Sequence, residues 1–360
     1  MLSTGEVLLT TVFSYLGVAL IRWWAERRRI LDIPNKRSSH TQPTPRGGGL
    51  AIVVATLVGV WLSHLGVAPA ISWTRLAGFI IGAILIAIVS GVDDLHSLPG
   101  WLRFGVHSLG AVLAIVSFGY IQTVEVPFLF EWRLGWVGLP LTFLWIVGLT
   151  NAYNFMDGID GLAGSQAVVA GLGWAVWGLW SKSPFVSMLG LLLAASSLGF
   201  LGHNWSPARI FMGDVGSAFL GFTYAVLPLL FLFRANNGEL VARAPLAALL
   251  FLWPFVFDTS FTFVRRALNR ENVFAAHRSH LYQRLIISGH SHRTVTCLYI
   301  GLALVGVVVA LIWVSYTARE WSLAIVTVPL LAVALWLLVK QQEREREKLP
   351  QAADRWSPLS

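Results

Sequence analysis

The sequence is short of charge. Asp, Glu, Lys and Arg make up only 12% of its 360 residues, about half of what a soluble domain carries, and the mean hydropathy is +0.68. A surface so poor in ions cannot face water over most of its area, which excludes an ordinary soluble protein. An internal disulfide is excluded as well, because Cys297 is the one cysteine and sits in an apolar run. A large polar domain on a single anchor is missing too, since the apolar runs continue almost to the end of the chain. No repeat of fixed period is present. Acids are scarcer than bases, 18 Asp and Glu against 26 Lys and Arg.

What the chain does have is apolar runs long enough to cross about 30 Å of hydrocarbon. They fall near 5–25, 49–66, 75–92, 101–121, 136–153, 162–180, 185–202, 215–233, 240–263, 294–316 and 320–339. The expected fold is an all-α polytopic membrane helix bundle of about eleven transmembrane helices. It forms one integral domain, 1–340, followed by a charged tail, 341–360. The first run reads as a retained span and not a cleaved signal, because nothing basic precedes it while Arg22, Arg27, Arg28 and Arg29 follow it. The 17 tryptophans are expected as interfacial anchors.

Charge orients the spans. With the N-terminus outside, every Lys and Arg lies on the inner side except Arg75, Arg133, Lys182, Arg234, Arg243 and Arg319. That asymmetry fits eleven crossings with the C-terminus inside. The outer segment 123–135 is expected to form a small hairpin. The inner loops 26–48, 93–100, 154–161, 203–214 and 264–293 then carry nearly all the unusual chemistry, and five distant loops converge on one face.

Five of the scarce acids sit there: Asp93 and Asp94 after the third run, Asp157 and Asp160 in NAYNFMDGIDGLAG, and Asp214 in IFMGDVGS. Acids at helix ends near a bilayer are costly unless they pair, bind a cation or face water. Singly each reads as a helix cap, and for Asp214 the cap is the commoner role. Together, in an acid-poor chain, they read as a cation site. Oxygen ligands without cysteine suit Mg²⁺, with Mn²⁺ as the other choice. Asn151, Asn154 and Asp157 recur every three residues, which puts them on one face if the helix continues that far. Asn154 then offers a neutral oxygen beside Asp157.

The basic side comes from two loops. In 32–49, Lys36, Arg37, His40 and Arg46 precede Gly47, Gly48 and Gly49, and the free amides of the helix that follows favour an anion such as phosphate. Basic residues in this loop also satisfy the orientation rule by themselves. In 277–293, His277, Arg278, His280, Gln283 and Arg284 form a polar cluster suited to a pyrophosphate, while His290 and His292 read as surface. Asp258, inside an apolar run, is expected to pair with Arg265 or Arg266, and His64 and His107 to be structural.

These motifs, GVDD (91–94), NAYNFMDGIDGLAG (151–164), IFMGDVGS (210–217), PNKRSSH…PTPRGGG (34–49) and HRSHLYQR (277–284), resemble in order and placement the polyprenyl-phosphate N-acetylhexosamine-1-phosphate transferases. The resemblance covers about residues 30–295. The HRSHLYQR form is most similar to the branch that initiates O-antigen, and it departs from the three-histidine form of the muramoyl-pentapeptide transferases. The resemblance implies Mg²⁺-dependent transfer of sugar-1-phosphate from a UDP-N-acetyl sugar to undecaprenyl phosphate, with release of UMP, at the cytoplasmic face of a bacterial inner membrane. It implies metal binding by Asn154 and Asp214, catalytic duty for Asp93, Asp94, Asp157 and Asp160, and donor contacts from His277, Arg278 and His280. It also allows a homodimer. Lys36, Arg37, His40, Arg46, Asn151 and Arg284 complete the expected substrate-binding set, and no nucleic-acid partner is expected. The rival reading is a transporter for an anionic solute or lipid; it needs polar groups near mid-span, whereas these cluster at inner ends.

Overall fold

The computed structural model describes residues 3–34, 42–66, 71–128, 131–232, 238–273, 275, 277–315 and 319–348. They form an almost wholly helical bundle: α1 (Thr4–Arg28), α2 (Gly49–Gly66), α3 (Trp73–His96), α4 (Gly100–Phe118), α5 (Gly138–Phe155), α6 (Leu162–Trp180), α7 (Pro184–Asn204), α8 (Asp214–Leu232), α9 (Gly238–Phe251), α10 (Trp253–Leu268), a short α11 (Leu281–Ile287), α12 (His292–Ser315) and α13 (Thr327–Lys348). Two small antiparallel pairs complete it, β1 (Leu31–Asp32) with β2 (Thr44–Pro45), and β3 (Thr123–Glu125) with β4 (Glu131–Arg133). The second is the hairpin expected in 123–135.

Among the described residues, nine helices are long and apolar enough to cross a membrane, or ten if α9 and α10 count as one broken span. The apolar stretch of α2, Gly49–Leu65, is shorter, but His64 at its far end stacks edge-on against Trp73 at the start of α3, 4.1 Å between ring centroids. The eleven expected runs are thus all helical, and one of them is broken.

The break lies in the run 240–263, where α9 and α10 meet at 74°. The apolar pattern is continuous there, so hydropathy alone does not reveal it. The cause is Pro254, which has no N–H and clashes with a preceding helical carbonyl. The amide of Phe255 turns back to Leu252 O at 3.0 Å, so the Phe251 carbonyl loses its helical partner. The Gln166 amide of α6 donates to that carbonyl at 2.8 Å, and Trp253 Nε1 donates to Leu302 O on α12. In a medium without water each freed backbone group needs such a partner.

The core is α8, most of whose length is buried, with α6 and α7 close behind; α1 and α13 lie at the periphery. α8 packs on α2, α3, α4, α5, α7 and α9. Its start is pressed against the start of α2. A Cβ on Gly49 would lie 2.4 Å from Gly216 Cα, so only glycines allow this crossing. Gly48 N and Gly49 N donate to Phe211 O and Met212 O, and Phe211 N donates to Pro45 O. The N-terminal ends of α2, α4, α8 and α12 thereby meet the C-terminal ends of α3, α5, α7 and α10 at one end of the bundle.

Candidate active site

The acidic half begins at the end of α3. Asp94 accepts hydrogen bonds from the first two amides of α8, Asp214 N to Oδ1 at 3.0 Å and Val215 N to Oδ2 at 3.1 Å. It thus caps a helix on another part of the chain, satisfying amides that otherwise lack a partner. Gly213 makes this possible. Its φ is +77°, and a Cβ there would lie 2.6 Å from Asp94 Oδ2. Asp93 is held by Leu98 N at 2.5 Å and by Arg103 of α4 at 3.0 Å. Arg103 also reaches Asp214 at 3.7 Å, and Arg46 lies close enough to Asp94 to favour its charge.

The end of α5 supplies the next groups. Asn154 accepts from Ser217 Oγ at 2.8 Å and its side chain also bonds the Asp214 carboxylate. Asn151 points elsewhere. Its amide donates to Val147 O in its own helix and its side chain bonds the buried His107 of α4.

Two acids lie in the loop 156–161. Asp160 accepts from Ala208 N at 3.1 Å and lies 3.2 Å from His292. Burial raises its pKa, but His292, Ala208 N and the Ser206 side chain outweigh that and hold it below the usual carboxylate range. Its carbonyl accepts from Thr296 of α12. Asp160 therefore ties three segments together. Asp157 is different: among the described residues no hydrogen bond or ion pair reaches its carboxylate. Burial, and then the nearby Asp214, Asp94 and Asp160, push its pKa up to about 8.

The basic half is built on α10. Asp258, completely buried, accepts from Leu281 N at 2.8 Å, Tyr282 N at 3.1 Å, Tyr299 Oη at 2.6 Å and Thr262 Oγ1 at 3.2 Å, and lies 3.2 Å from His280 Nδ1. The expected pairing of Asp258 with Arg265 or Arg266 is therefore replaced by His280 and the start of α11. The reason is geometric: Arg265 donates to Ser279 O and Arg266 to Asn272 O, so both guanidinium groups hold the 269–280 loop. Ser279 N donates to His277 Nδ1 at 3.3 Å. An accepting Nδ1 places the ring proton on Nε2. Burial, followed by His280, Arg266 and Arg265, pushes the His277 pKa down to about 4, so at neutral pH it is an uncharged Nε2–H donor. Tyr282 joins the two halves: its hydroxyl donates to Phe155 O at 3.1 Å and fills the space beside Gly158, where a Cβ would lie 2.0 Å from it.

The structure thus gathers Asp93, Asp94, Asn154, Asp157, Asp160, Asp214 and Arg46 at one end of the bundle, with His277, Arg278 and His280 joined to them through Tyr282. Arg284 points another way, into a two-bond pair with Glu343. Lys36, Arg37 and His40 lie outside the described residues. Sequence reasoning missed Arg103, Ser217 and Tyr282. Arg103 carried a signal, a lone cation opposite GVDD at the same helix end; Ser217 and Tyr282 lie inside IFMGDVGS and HRSHLYQR, but nothing local marks the contacts they make.

Among the described residues no three His, Cys, Asp or Glu side chains form a ready-made metal cluster. Asn154 with Asp214 and the unpartnered Asp157 is nonetheless an all-oxygen set in which Arg103, 3.7 Å from Asp214, offsets the acid repulsion only in part. That suits Mg²⁺, which takes one or two carboxylates and completes its shell with water and substrate phosphate.

Comparison with known proteins places the chain in a family. The family model described as glycosyl transferase family 4 matches residues 76–232, the stretch from α3 to the end of α8. The chain is similar to the probable undecaprenyl-phosphate N-acetylglucosaminyl 1-phosphate transferase of Bacillus subtilis, 37% identical over 294 residues, covering 80% of this chain and 79% of the relative. It is 28% identical to the decaprenyl-phosphate N-acetylglucosaminephosphotransferase of Mycobacterium leprae, over 83% of this chain and 81% of the relative. It is 30% identical to the phospho-N-acetylmuramoyl-pentapeptide-transferase of Latilactobacillus sakei, over 62% of this chain and 72% of the relative. With these helices, this site and these relatives, the chain belongs to the polyprenyl-phosphate N-acetylhexosamine-1-phosphate transferase family of multi-pass membrane proteins.

Proposed function

We propose that the chain transfers N-acetylglucosamine-1-phosphate from UDP-N-acetylglucosamine to undecaprenyl phosphate, releasing UMP, at the cytoplasmic face of a bacterial inner membrane. The observation that carries this reading is the meeting of an unpartnered carboxylate, Asp157, and the Asn154–Asp214 pair with a basic loop, 277–280, across one hydrogen bond from Tyr282. The sugar follows the names of the relatives, two of which act with N-acetylglucosamine. The excess of Lys and Arg at the site end supports its facing the cytoplasm. The product would open an envelope polysaccharide, and the HRSHLYQR form supports one of the O-antigen type.

In the reaction an oxygen of the lipid phosphate attacks the phosphorus that bears the sugar. The bond from that phosphorus to the bridging oxygen breaks, and UMP leaves with that oxygen. Both partners are anionic, so neutralising charge is the main task. Asn154 and Asp214, with Asp157 beside them, would hold Mg²⁺, which supplies charge neutralisation on the pyrophosphate. The Nε2–H of His277 and the guanidinium of Arg278 would donate to oxygens of the nucleotide-sugar. Arg46 and Arg103, the cations beside Asp94 and Asp93, would receive the acceptor phosphate. A phosphate monoester is largely ionised at neutral pH, so no strong base is required. That agrees with Asp93 and Asp94 being tied up as structural acceptors.

The test is transfer of labelled sugar phosphate into the lipid phase by purified protein with undecaprenyl phosphate, Mg²⁺ and a panel of UDP-N-acetyl sugars. Label from UDP-N-acetylglucosamine, lost on chelation and in Asp214→Ala, is the expected result. Transfer from another donor alone would correct the sugar. No transfer with any donor from folded protein, together with solute uptake in liposomes, would return the transporter.

A further inference from the structure

The sequence expectation for the end of the chain is a charged tail, a frayed helix end with no catalytic part. In the structure it is helical to Lys348 and it grips α11. Glu343 takes Arg284 through both oxygens, Nε at 2.6 Å and Nη2 at 2.5 Å. Gln342 bonds His290 Nε2 at 3.0 Å, and the Arg346 guanidinium donates to Ile287 O, which α11 leaves without a helical partner. Three side chains from little more than one turn of α13 thus seize the middle, the end and the following turn of a seven-residue helix. A helix that short has no stability of its own in isolation, so its position is set by what holds it.

What α11 carries at its other end is the donor loop. Its N-cap is His280, and Asp258 fixes its first amides. Arg265 holds the carbonyl of Ser279 and lies within electrostatic reach of both Arg284 and Glu343. Without Glu343, the Arg265 and Arg284 guanidinium groups would repel each other beside Ser279, with Glu271 the remaining acid in reach of Arg265. The pair is planar and two-pronged, the geometry in which an ion pair holds position as well as charge.

We propose that Glu343 and Arg284 are positioning residues. The end of α13 is a strut that sets α11, and through it the 277–280 loop, against the pyrophosphate of the nucleotide-sugar. This rests on the transferase reading above, and it reassigns Arg284 from a substrate ligand to one end of the strut.

The experiment compares wild type, Glu343→Ala, Arg284→Glu and the swapped pair Arg284→Glu/Glu343→Arg in the transfer assay, titrating the nucleotide-sugar and the lipid phosphate separately. Amide exchange over 277–290 is followed by mass spectrometry on the same ligand-free samples. The expected result is a KM for the nucleotide-sugar raised about tenfold in each single variant, within what a displaced binding group costs. The KM for lipid phosphate and kcat should stay within about twofold, exchange over 277–290 should rise, and the swap should recover most of both. Unchanged KM and exchange in Glu343→Ala would overturn the strut, as would equal rises in both KM values, which mean general distortion. A KM for the nucleotide-sugar that rises in Arg284→Glu, stays at the wild-type value in Glu343→Ala and is not recovered in the swap would make Arg284 a direct ligand and also overturn it. An inactive wild type would sink the transferase reading instead, and the exchange data would still decide the strut.

Discussion

Asp94 of α3 grips the first two amides of α8, and Asp258 of α10 grips the first two amides of α11. One device thus serves both halves of the site, but the surroundings differ. Asp94 stands among other acids, with cations in Arg46 and Arg103 close by. Asp258 is sealed from solvent and surrounded by donors, His280, Tyr299 and Thr262. The difference separates two uses of a carboxylate. Where backbone amides and hydroxyls satisfy it, the acid builds the site. Where nothing satisfies it, as at Asp157, the acid is open to the cation and substrate proposed above.

The largest expected effect tests that separation inside the acidic half. Asp157→Asn should lower kcat about a hundredfold or more, the scale of losing one electrostatic group at a phosphoryl-transfer centre. Its thermal stability should be unchanged or slightly higher near pH 7, where the carboxyl is mostly protonated and no hydrogen bond is lost, and its gain over wild type should be complete above about pH 8, where the repelled charge forms. Asp94→Asn should lose stability by about 1–2 kcal/mol, since the new amide group faces an α8 amide that needs an acceptor. The measurement is kcat beside thermal unfolding in detergent for both variants. Equal losses of stability would erase the distinction between them.

In the basic half the same logic predicts a structural failure. Asp258→Ala leaves two backbone amides, a tyrosine hydroxyl and His280 without their buried acceptor, a loss of about 3 kcal/mol or more. Asp258→Asn keeps the shape and one acceptor, so it should lose less and retain part of its affinity for nucleotide-sugar. A folded, fully active Asp258→Ala would show that α11 is held by α13 alone.

How much of this could be read beforehand follows from the same contrast. The acids of GVDD, NAYNFMDGIDG and IFMGDVGS stood out because so few acids exist in the chain, and their convergence followed from helix alternation. Their individual duties did not. That Asp94 serves α8, 120 positions further on, is a tertiary fact with no local trace. The apolar run 240–263 hid its own break, although Pro245 and Pro254 marked it. α11 is too short to show a helical period, so Arg284 read as one of a basic cluster when its partner lies 59 residues away. Asp258 was visible as an oddity in a span, and the nearest arginines were a reasonable but wrong partner.

The smallest expected effect concerns Asp160, the acid that joins the 203–210 loop to α12. Its pKa lies below that of a free carboxylate because His292, Ala208 N and Ser206 outweigh burial. A group depressed in the folded state favours folding at any pH above its unfolded value, about 3.9. That contribution fades as the pH drops through the lower folded value. Wild type should therefore be more stable than Asp160→Asn at pH 7, by about 1 kcal/mol for one charge-assisted contact. The gap should close as the pH falls below about 4, and unfolding temperatures of the two proteins between pH 7 and pH 3 would measure it. A gap that stays constant over this range would mean that the oxygen positions matter and the charge does not. Asp160 would then act as a neutral clasp that builds the site, in contrast to Asp157 three residues before it, whose carboxylate takes no hydrogen bond from the described residues.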